Sequence, residues 1–109
     1  MEGWSMSKES LAIKLLSKHL GHSLTLNDIG YESYVFEGDE LDASLIPDEY
    51  TSYFKPDHSI MTHLYAFGDT MVYFFQPLNK EYADVMLVGL LDNYSLIDYT
   101  LLEGDGIDE

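Results

Sequence analysis

The sequence predicts an α+β fold in which two helices pack against an antiparallel, five-stranded sheet. An amphipathic pattern near the N-terminus predicts one helix, and a proline followed by two acids predicts a second, shorter one. The second half of the chain holds runs rich in aromatic and β-branched residues, separated by turn residues. The length of 109 residues suits one domain, which we place at residues 1–103, with a disordered acidic tail at 104–109.

The first predicted helix begins after Ser7, a suitable N-cap, and ends at Gly21, a residue favoured just beyond a helix. Its apolar stripe repeats at spacings of three and four residues and consists of Leu11, Ala12, Leu15, Leu16 and Leu20. Residues 23–27 and 30–36 alternate weakly, which predicts extended structure. The acidic segment 37–42 is predicted to be an exposed loop or strand end.

A short second helix is predicted to begin at Pro47, because proline fits the first turn of a helix. Asp48 and Glu49 then lie in that first turn, where the helix dipole favours acids. Pro56 disfavours helical backbone just before it, so the helix should end near Phe54.

The second half of the chain is predicted to form two hairpins. Gly68 and Asp69 form the two-residue turn of the first, and residues 92–94 form the turn of the second. Gly89 favours a strand over a helix in its segment. The four predicted strands cover residues 60–67, 70–76, 85–91 and 95–102.

Charge and composition exclude several classes of protein. Five basic and 20 acidic residues give a net charge of −15, which would repel nucleic-acid phosphates, so no direct nucleic-acid partner is expected. With no cysteine there is no disulfide, thiolate nucleophile or cysteine-based zinc site. The sequence shows neither a signal peptide nor an uncharged apolar run near the roughly 20 residues of a membrane helix. We therefore expect a cytoplasmic protein that does not contact membranes.

No catalytic constellation stands out. His19 and His22 have a spacing that can bind a metal, but no third ligand matches it, so we interpret them as surface histidines and expect neither metal nor cofactor. Nucleophile-elbow, phosphate-loop and calcium-loop patterns are absent from the sequence. We expect a protein that is not an enzyme.

The acidic surface is the remaining signal. Ten acids and a single lysine lie between Asp28 and Asp69. A solvated surface that keeps the protein soluble would explain them. However, so large a charge costs self-repulsion, which indicates a functional field that imitates DNA phosphates towards a basic groove.

The order of five short segments along the chain indicates which DNA-binding protein such a mimic would bind. It runs through Glu32-Ser33, LIPDEY at 45–50, IMTHLY at 60–65, VYFFQ at 72–76 and VGLLD at 88–92. In this order, and in the order of predicted elements, the chain from Glu32 to Leu102 resembles the uracil-DNA glycosylase inhibitors of the Ugi type, their staphylococcal relatives in particular. The resemblance covers about two-thirds of the 109 residues.

The resemblance implies a one-to-one complex with uracil-DNA glycosylase. Acidic side chains would stand where DNA phosphates lie in the glycosylase groove. A hydrophobic pocket between sheet and helix would receive the apolar finger that the glycosylase inserts into the duplex during base flipping. The pocket positions implied by the resemblance are Leu45, Tyr50, Tyr53, Phe54, Thr62, Val72 and Phe74.

The resemblance also implies which acids bind. Glu32 and Ser33 match the strand that reaches the catalytic cleft, and Glu49, with Asp48, matches the acids at the helix start. Ser52 stands where some members carry another acid, so that contact is in doubt. The segment between strand and helix is longer than in the shortest members, so the alternative phosphate mimics to Glu32 are Glu37 and Asp39.

The alternative is a mimic of DNA or RNA that blocks another nucleic-acid enzyme. Such proteins include an immunity protein against a nuclease toxin, an anti-restriction factor and an anti-CRISPR factor. Charge alone does not separate these from a glycosylase inhibitor. A phage or mobile-element neighbourhood would favour an inhibitor, and an adjacent toxin gene would favour immunity.

Overall fold

A computed structural model of the chain describes residues 8–40, 43–55, 57–78 and 85–103. Five antiparallel strands form one sheet in the order β1-β2-β3-β4-β5. The helix α1 spans Lys8–Leu20, and the strands are β1 (Gly30–Glu37), β2 (Ser59–Phe67), β3 (Thr70–Pro77), β4 (Val85–Asp92) and β5 (Ser95–Glu103). The predicted α+β class with an antiparallel five-stranded sheet is confirmed.

Helix α1 ends as its sequence predicts. Gly21 has a φ of 80°, and its N–H donates to the Ser17 carbonyl at 2.9 Å, which closes the last turn. Ala12 and Leu16 are fully buried against the sheet.

The predicted N-cap Ser7, the helix-ending Pro56 and the tail 104–109 lie outside the described residues. No helix in the described part of the chain is long and apolar enough to cross a membrane.

Extended structure was predicted at residues 23–27, and this is wrong for residues 26 and 27. Leu26–Asp28 forms a 3₁₀ turn that begins after Thr25. The Asp28 carboxylate accepts the Thr25 backbone N–H at 2.8 Å and the Thr25 hydroxyl at 3.2 Å. This capping interaction is local, and it outweighs the weak alternation that favoured a strand.

The second helix is a 3₁₀ helix at Asp48–Tyr53. Pro47, with a φ of −59°, directly precedes it, and its carbonyl accepts the Tyr50 N–H at 2.9 Å. The helix stops before Phe54, close to the predicted end. Two shorter 3₁₀ turns, Gly38–Glu40 and Ala43–Leu45, lie in the acidic connection before it.

Both predicted hairpins are present. Gly68, with a φ of 62°, and Asp69 connect β2 to β3. Asn93 and Tyr94 connect β4 to β5, and both have the positive φ that a two-residue hairpin turn of type I′ requires. Asp92 belongs to β4 rather than to the turn.

The central strands of the sheet are covered on both faces, and β3 and β4 are buried almost throughout. We call the two sides the α1 face and the 3₁₀ face, after the helix that covers each. Buried side chains of the α1 face are Ala12, Leu16, Leu24, Tyr65, Val72, Phe74, Met86, Val88 and Leu90. Buried side chains of the 3₁₀ face are Ile46, Phe54, Ile60, Tyr73, Phe75, Leu87 and Leu91.

One row of side chains crosses all five strands on the 3₁₀ face. Directly opposed residues share a face, and the register joins Glu32, Leu64, Tyr73, Gly89 and Tyr99 in this order. Tyr73 is fully buried at the centre of the row, and its ring lies over Gly89. Its hydroxyl donates to the Leu45 carbonyl, which ties the turn Ala43–Leu45 to the sheet.

Gly89→Ala should destabilise the fold by about 2 kcal/mol or more, because the new methyl group would overlap the Tyr73 ring. Gly30→Ala is the matched control, since it is also in a strand and nothing lies within 4 Å of a methyl group there. It should change the free energy of unfolding by less than about 0.5 kcal/mol. Urea denaturation of the two variants measures both values. Equal stability of the two variants would contradict the packing described for Tyr73.

Candidate functional site

Two of the acids singled out by the sequence lie at opposite edges of the 3₁₀ face. Glu32 is on β1, the first edge strand, and Glu49 is on the 3₁₀ helix, beside the opposite edge strand β5. Four strand spacings separate β1 from β5, which is roughly 19 Å. Both side chains are exposed. One partner surface can therefore meet both acids.

Each of these carboxylates accepts a hydrogen bond from a tyrosine hydroxyl. Tyr34, two residues along β1, donates to Oε1 of Glu32. Tyr99, on β5, donates to Oε1 of Glu49 at 3.1 Å. The hydrogen bond raises the pKa of each tyrosine, since the proton is held between two oxygens. Both carboxylates are thus oriented by hydroxyl donors that carry no charge.

The other polar residues predicted for the site are Ser33, Glu37, Asp39 and Asp48. Ser33 is exposed on the α1 face, opposite His63, because neighbouring residues of a strand point to opposite faces. Glu37, at the far end of β1, accepts the Ser59 hydroxyl at 3.1 Å. Asp39 and Asp48 are exposed. Glu32 therefore lies on the 3₁₀ face and Ser33 on the other face, while Asp48 precedes Glu49 on the helix that covers the 3₁₀ face.

None of Glu32, Glu37 and Glu49 forms an ion pair with a base in the described parts of the chain. Carboxylates that lie within 4 Å of a histidine ring nitrogen there include Asp92, 2.8 Å from His19, and Asp57, 3.8 Å from the neighbouring His58. Charge that is not neutralised within the protein remains available to a cationic partner.

The predicted hydrophobic pocket is divided between the two faces. Leu45, Tyr50 and Tyr53 are half-buried, and with the buried Phe54 they belong to the 3₁₀ face. Thr62 also faces this side, since it lies opposite Phe75 in the register.

Two residues of the predicted pocket, Val72 and Phe74, do not lie on the 3₁₀ face. They point to the α1 face and are buried against helix α1. The side chains that β3 contributes to the 3₁₀ face are Tyr73 and Phe75, one position along. A shift of one residue in a strand moves a side chain to the other face of the sheet. In this structure Val72 and Phe74 are ordinary core residues.

Thr62 carries a buried polar group. Its side chain is 1% exposed, and its hydroxyl oxygen has no hydrogen-bond partner among the described residues. A buried hydroxyl without a partner costs free energy. Thr62 is thus a destabilising position at the base of the 3₁₀ face.

The histidines show no metal-binding arrangement. No group of three or more histidine, aspartate or glutamate side chains in the described ranges is placed to hold a metal ion. His22 packs edge-on against Phe67, with ring centroids 6.0 Å apart. His63 stacks on Tyr31, and burial lowers the pKa of His63, which favours the neutral ring whose Nδ1 lies 2.7 Å from the Tyr31 hydroxyl.

The tyrosines that orient the acids were missed by the sequence analysis. Tyr34 had a local signal, because residues two apart in a strand share a face. Tyr99 had none, because it lies 50 residues from Glu49 in the sequence. Glu49 and Tyr99 come together only because the 3₁₀ helix packs beside β5 in the folded protein.

Comparisons with protein-family models, with curated proteins and with solved structures found no match. The surface is therefore defined by its geometry and charge. It consists of two oriented, exposed carboxylates and, on the same face, a half-buried group formed by Tyr50, Tyr53 and Leu45, which we call the aromatic cluster.

Thr62→Val should leave stability unchanged or raise it by about 1 kcal/mol, because it removes a buried hydroxyl that has no partner. Thr51→Val is the matched control, since the Thr51 hydroxyl donates to the Asp48 carbonyl at 3.1 Å. It should lower stability by up to about 1 kcal/mol. Thermal denaturation followed by circular dichroism measures both. A clear loss of stability in Thr62→Val would mean that its hydroxyl is bonded after all.

Proposed function

We propose that this chain is a protein inhibitor of uracil-DNA glycosylase that binds the DNA groove of the enzyme in a one-to-one complex. The observation that carries the proposal is the pair of exposed carboxylates, Glu32 and Glu49, at the two edges of one sheet face. The ordered resemblance of the sequence to the Ugi-type inhibitors names the target. In this proposal the chain is not an enzyme, needs no cofactor and acts in the cytoplasm.

The negative charge of the protein supports binding in a groove that normally holds DNA. A protein that binds DNA lines its groove with cations, which attract an object of net charge −15. The carboxylates of Glu32 and Glu49 are already oriented by Tyr34 and Tyr99. Orientation before binding reduces the entropy lost on binding, which strengthens the complex.

The aromatic cluster supplies an apolar contact between the acids. Leu45, Tyr50 and Tyr53 are half-buried on the 3₁₀ face, so they keep surface for a partner. Burying one partner leucine there would contribute about 2 kcal/mol. In our proposal this surface takes the apolar finger of the glycosylase, while Val72 and Phe74 support the sheet from behind.

An excess of this protein should abolish uracil excision by a bacterial uracil-DNA glycosylase. Titration of a fixed amount of enzyme should reach full inhibition at an equal amount of inhibitor, because each complex blocks one groove. Uracil release from a labelled oligonucleotide measures it. Full enzyme activity at a large excess of folded protein would refute the proposal and favour a mimic directed at another nucleic-acid enzyme.

Glu32→Gln and Glu49→Gln should leave the melting temperature nearly unchanged, since both side chains are exposed. Binding to the glycosylase should weaken by about 2–5 kcal/mol if the carboxylate is desolvated against a cation in the complex. Asp69→Asn, in the exposed turn between β2 and β3, removes one charge outside the proposed surface and is the matched control. Calorimetry of binding measures all three. Equal losses in the three variants would point to a diffuse acidic field rather than a local site.

A further inference from the structure

Where the 3₁₀ helix meets β5, the half-buried Tyr50 and the exposed Glu49 and Tyr99 form a corner of two rings and one carboxylate. The rings of Tyr50 and Tyr99 are nearly perpendicular, at 87°, with centroids 6.1 Å apart. The Tyr99 hydroxyl donates to Oε1 of Glu49 at 3.1 Å, so the carboxylate stands at the rim of this corner. Tyr99 is 40% exposed and Glu49 is exposed, so the corner opens to solvent.

The chemistry of this corner fits a cation of a particular shape. The faces of tyrosine rings attract cations, and a carboxylate accepts hydrogen bonds from them. Glu49 uses one oxygen for Tyr99, a neutral donor, and forms no ion pair within the described ranges. A guanidinium group is planar, so it can lie flat on an aromatic ring while its N–H groups point to a carboxylate beside that ring.

We propose that Glu49, Tyr50 and Tyr99 form a receptor for a single arginine side chain of the partner protein, in which Tyr99 is a positioning residue for the Glu49 carboxylate. This inference rests on the proposed function for the identity of the partner, and it assigns one contact of that complex. Asp98, beside Tyr99 on β5, adds negative potential near the receptor.

Tyr99 acts by fixing where the carboxylate lies. Glu49 is on the 3₁₀ helix and Tyr99 is on β5, so their hydrogen bond joins two separate elements. Without the hydroxyl, an exposed glutamate samples several rotamers, and binding an arginine then costs the entropy of selecting one. Tyr99→Phe keeps the ring and removes only this restraint.

The receptor is tested on the free protein by nuclear magnetic resonance. The probe is Nα-acetyl-arginine amide at millimolar concentrations, and the neutral isostere Nα-acetyl-citrulline amide is the control ligand. Arginine should shift the signals of Glu49, Tyr50 and Tyr99 together, and citrulline should not. The shifts should fall roughly tenfold in Glu49→Gln and by a smaller factor in Tyr99→Phe.

Two measurements separate positioning from a general structural role. The side-chain couplings of Glu49 should indicate one rotamer in the native protein and averaged rotamers in Tyr99→Phe. Tyr94→Phe, a substitution in the exposed β4–β5 turn, should leave both these couplings and the arginine shifts unchanged. A Glu49 side chain that is equally averaged in the native protein and in Tyr99→Phe would overturn the positioning role.

The remaining outcomes distinguish this inference from the proposed function. Shifts at Asp69 as large as those at Glu49, or equal shifts with citrulline, would overturn the receptor, even if the protein inhibits the glycosylase. Local arginine binding by a protein that does not inhibit the glycosylase would support the receptor and refute the proposed partner.

Discussion

The contact of Tyr73 with Gly89 and with the Leu45 carbonyl is the constraint on which the rest of the 3₁₀ face depends. A glycine on β4 is needed because the outer atoms of the Tyr73 ring, on β3, occupy the place that a side chain at position 89 would take. The Tyr73 hydroxyl then reaches the turn that precedes the 3₁₀ helix, and that helix carries Glu49. The position of an exposed acid is therefore set by a buried ring at the centre of the sheet. Because the ring is stacked on Phe75, with centroids 4.1 Å apart, this geometry is part of the core.

Most of the fold could be predicted from local signals. Pro47 restricts its own φ, whereas Gly21 and Gly68 permit the positive φ that a helix end and a tight turn require, and the elements begin or end beside them as expected. Leu26–Asp28 was missed because its turn depends on a single side-chain cap rather than on a pattern of hydrophobicity. Sequence patterns report which residues are apolar, and capping by one carboxylate leaves only a weak trace in them.

Less of the candidate site than of the fold could be predicted from the sequence, and the reason is geometric. Exposure of Glu32 and Glu49 follows from charge alone, and the structure agrees. The face to which a strand residue points depends on its register, and an aromatic run such as residues 72–75 gives no alternation to read because both faces of β3 are buried. From the sequence, Val72 and Phe74 could therefore not be assigned to a different face from Tyr73 and Phe75 with any particular choice of side. The bond between Tyr99 and Glu49 is a product of tertiary structure and has no counterpart in local sequence.

The position of β1 in the sheet has a consequence for its dynamics. Among the strands that the structure describes, β1 lies at an edge of the sheet and is exposed on both faces, whereas β3 and β4 are flanked by strands and covered on both sides. The amides of β1 should therefore exchange with solvent through local openings that cost less than global unfolding, while those of β3 and β4 should exchange only when the whole domain opens. A protein that grips β1 would suppress these openings. The slowed exchange would then record, amide by amide, how far along the strand the contact extends.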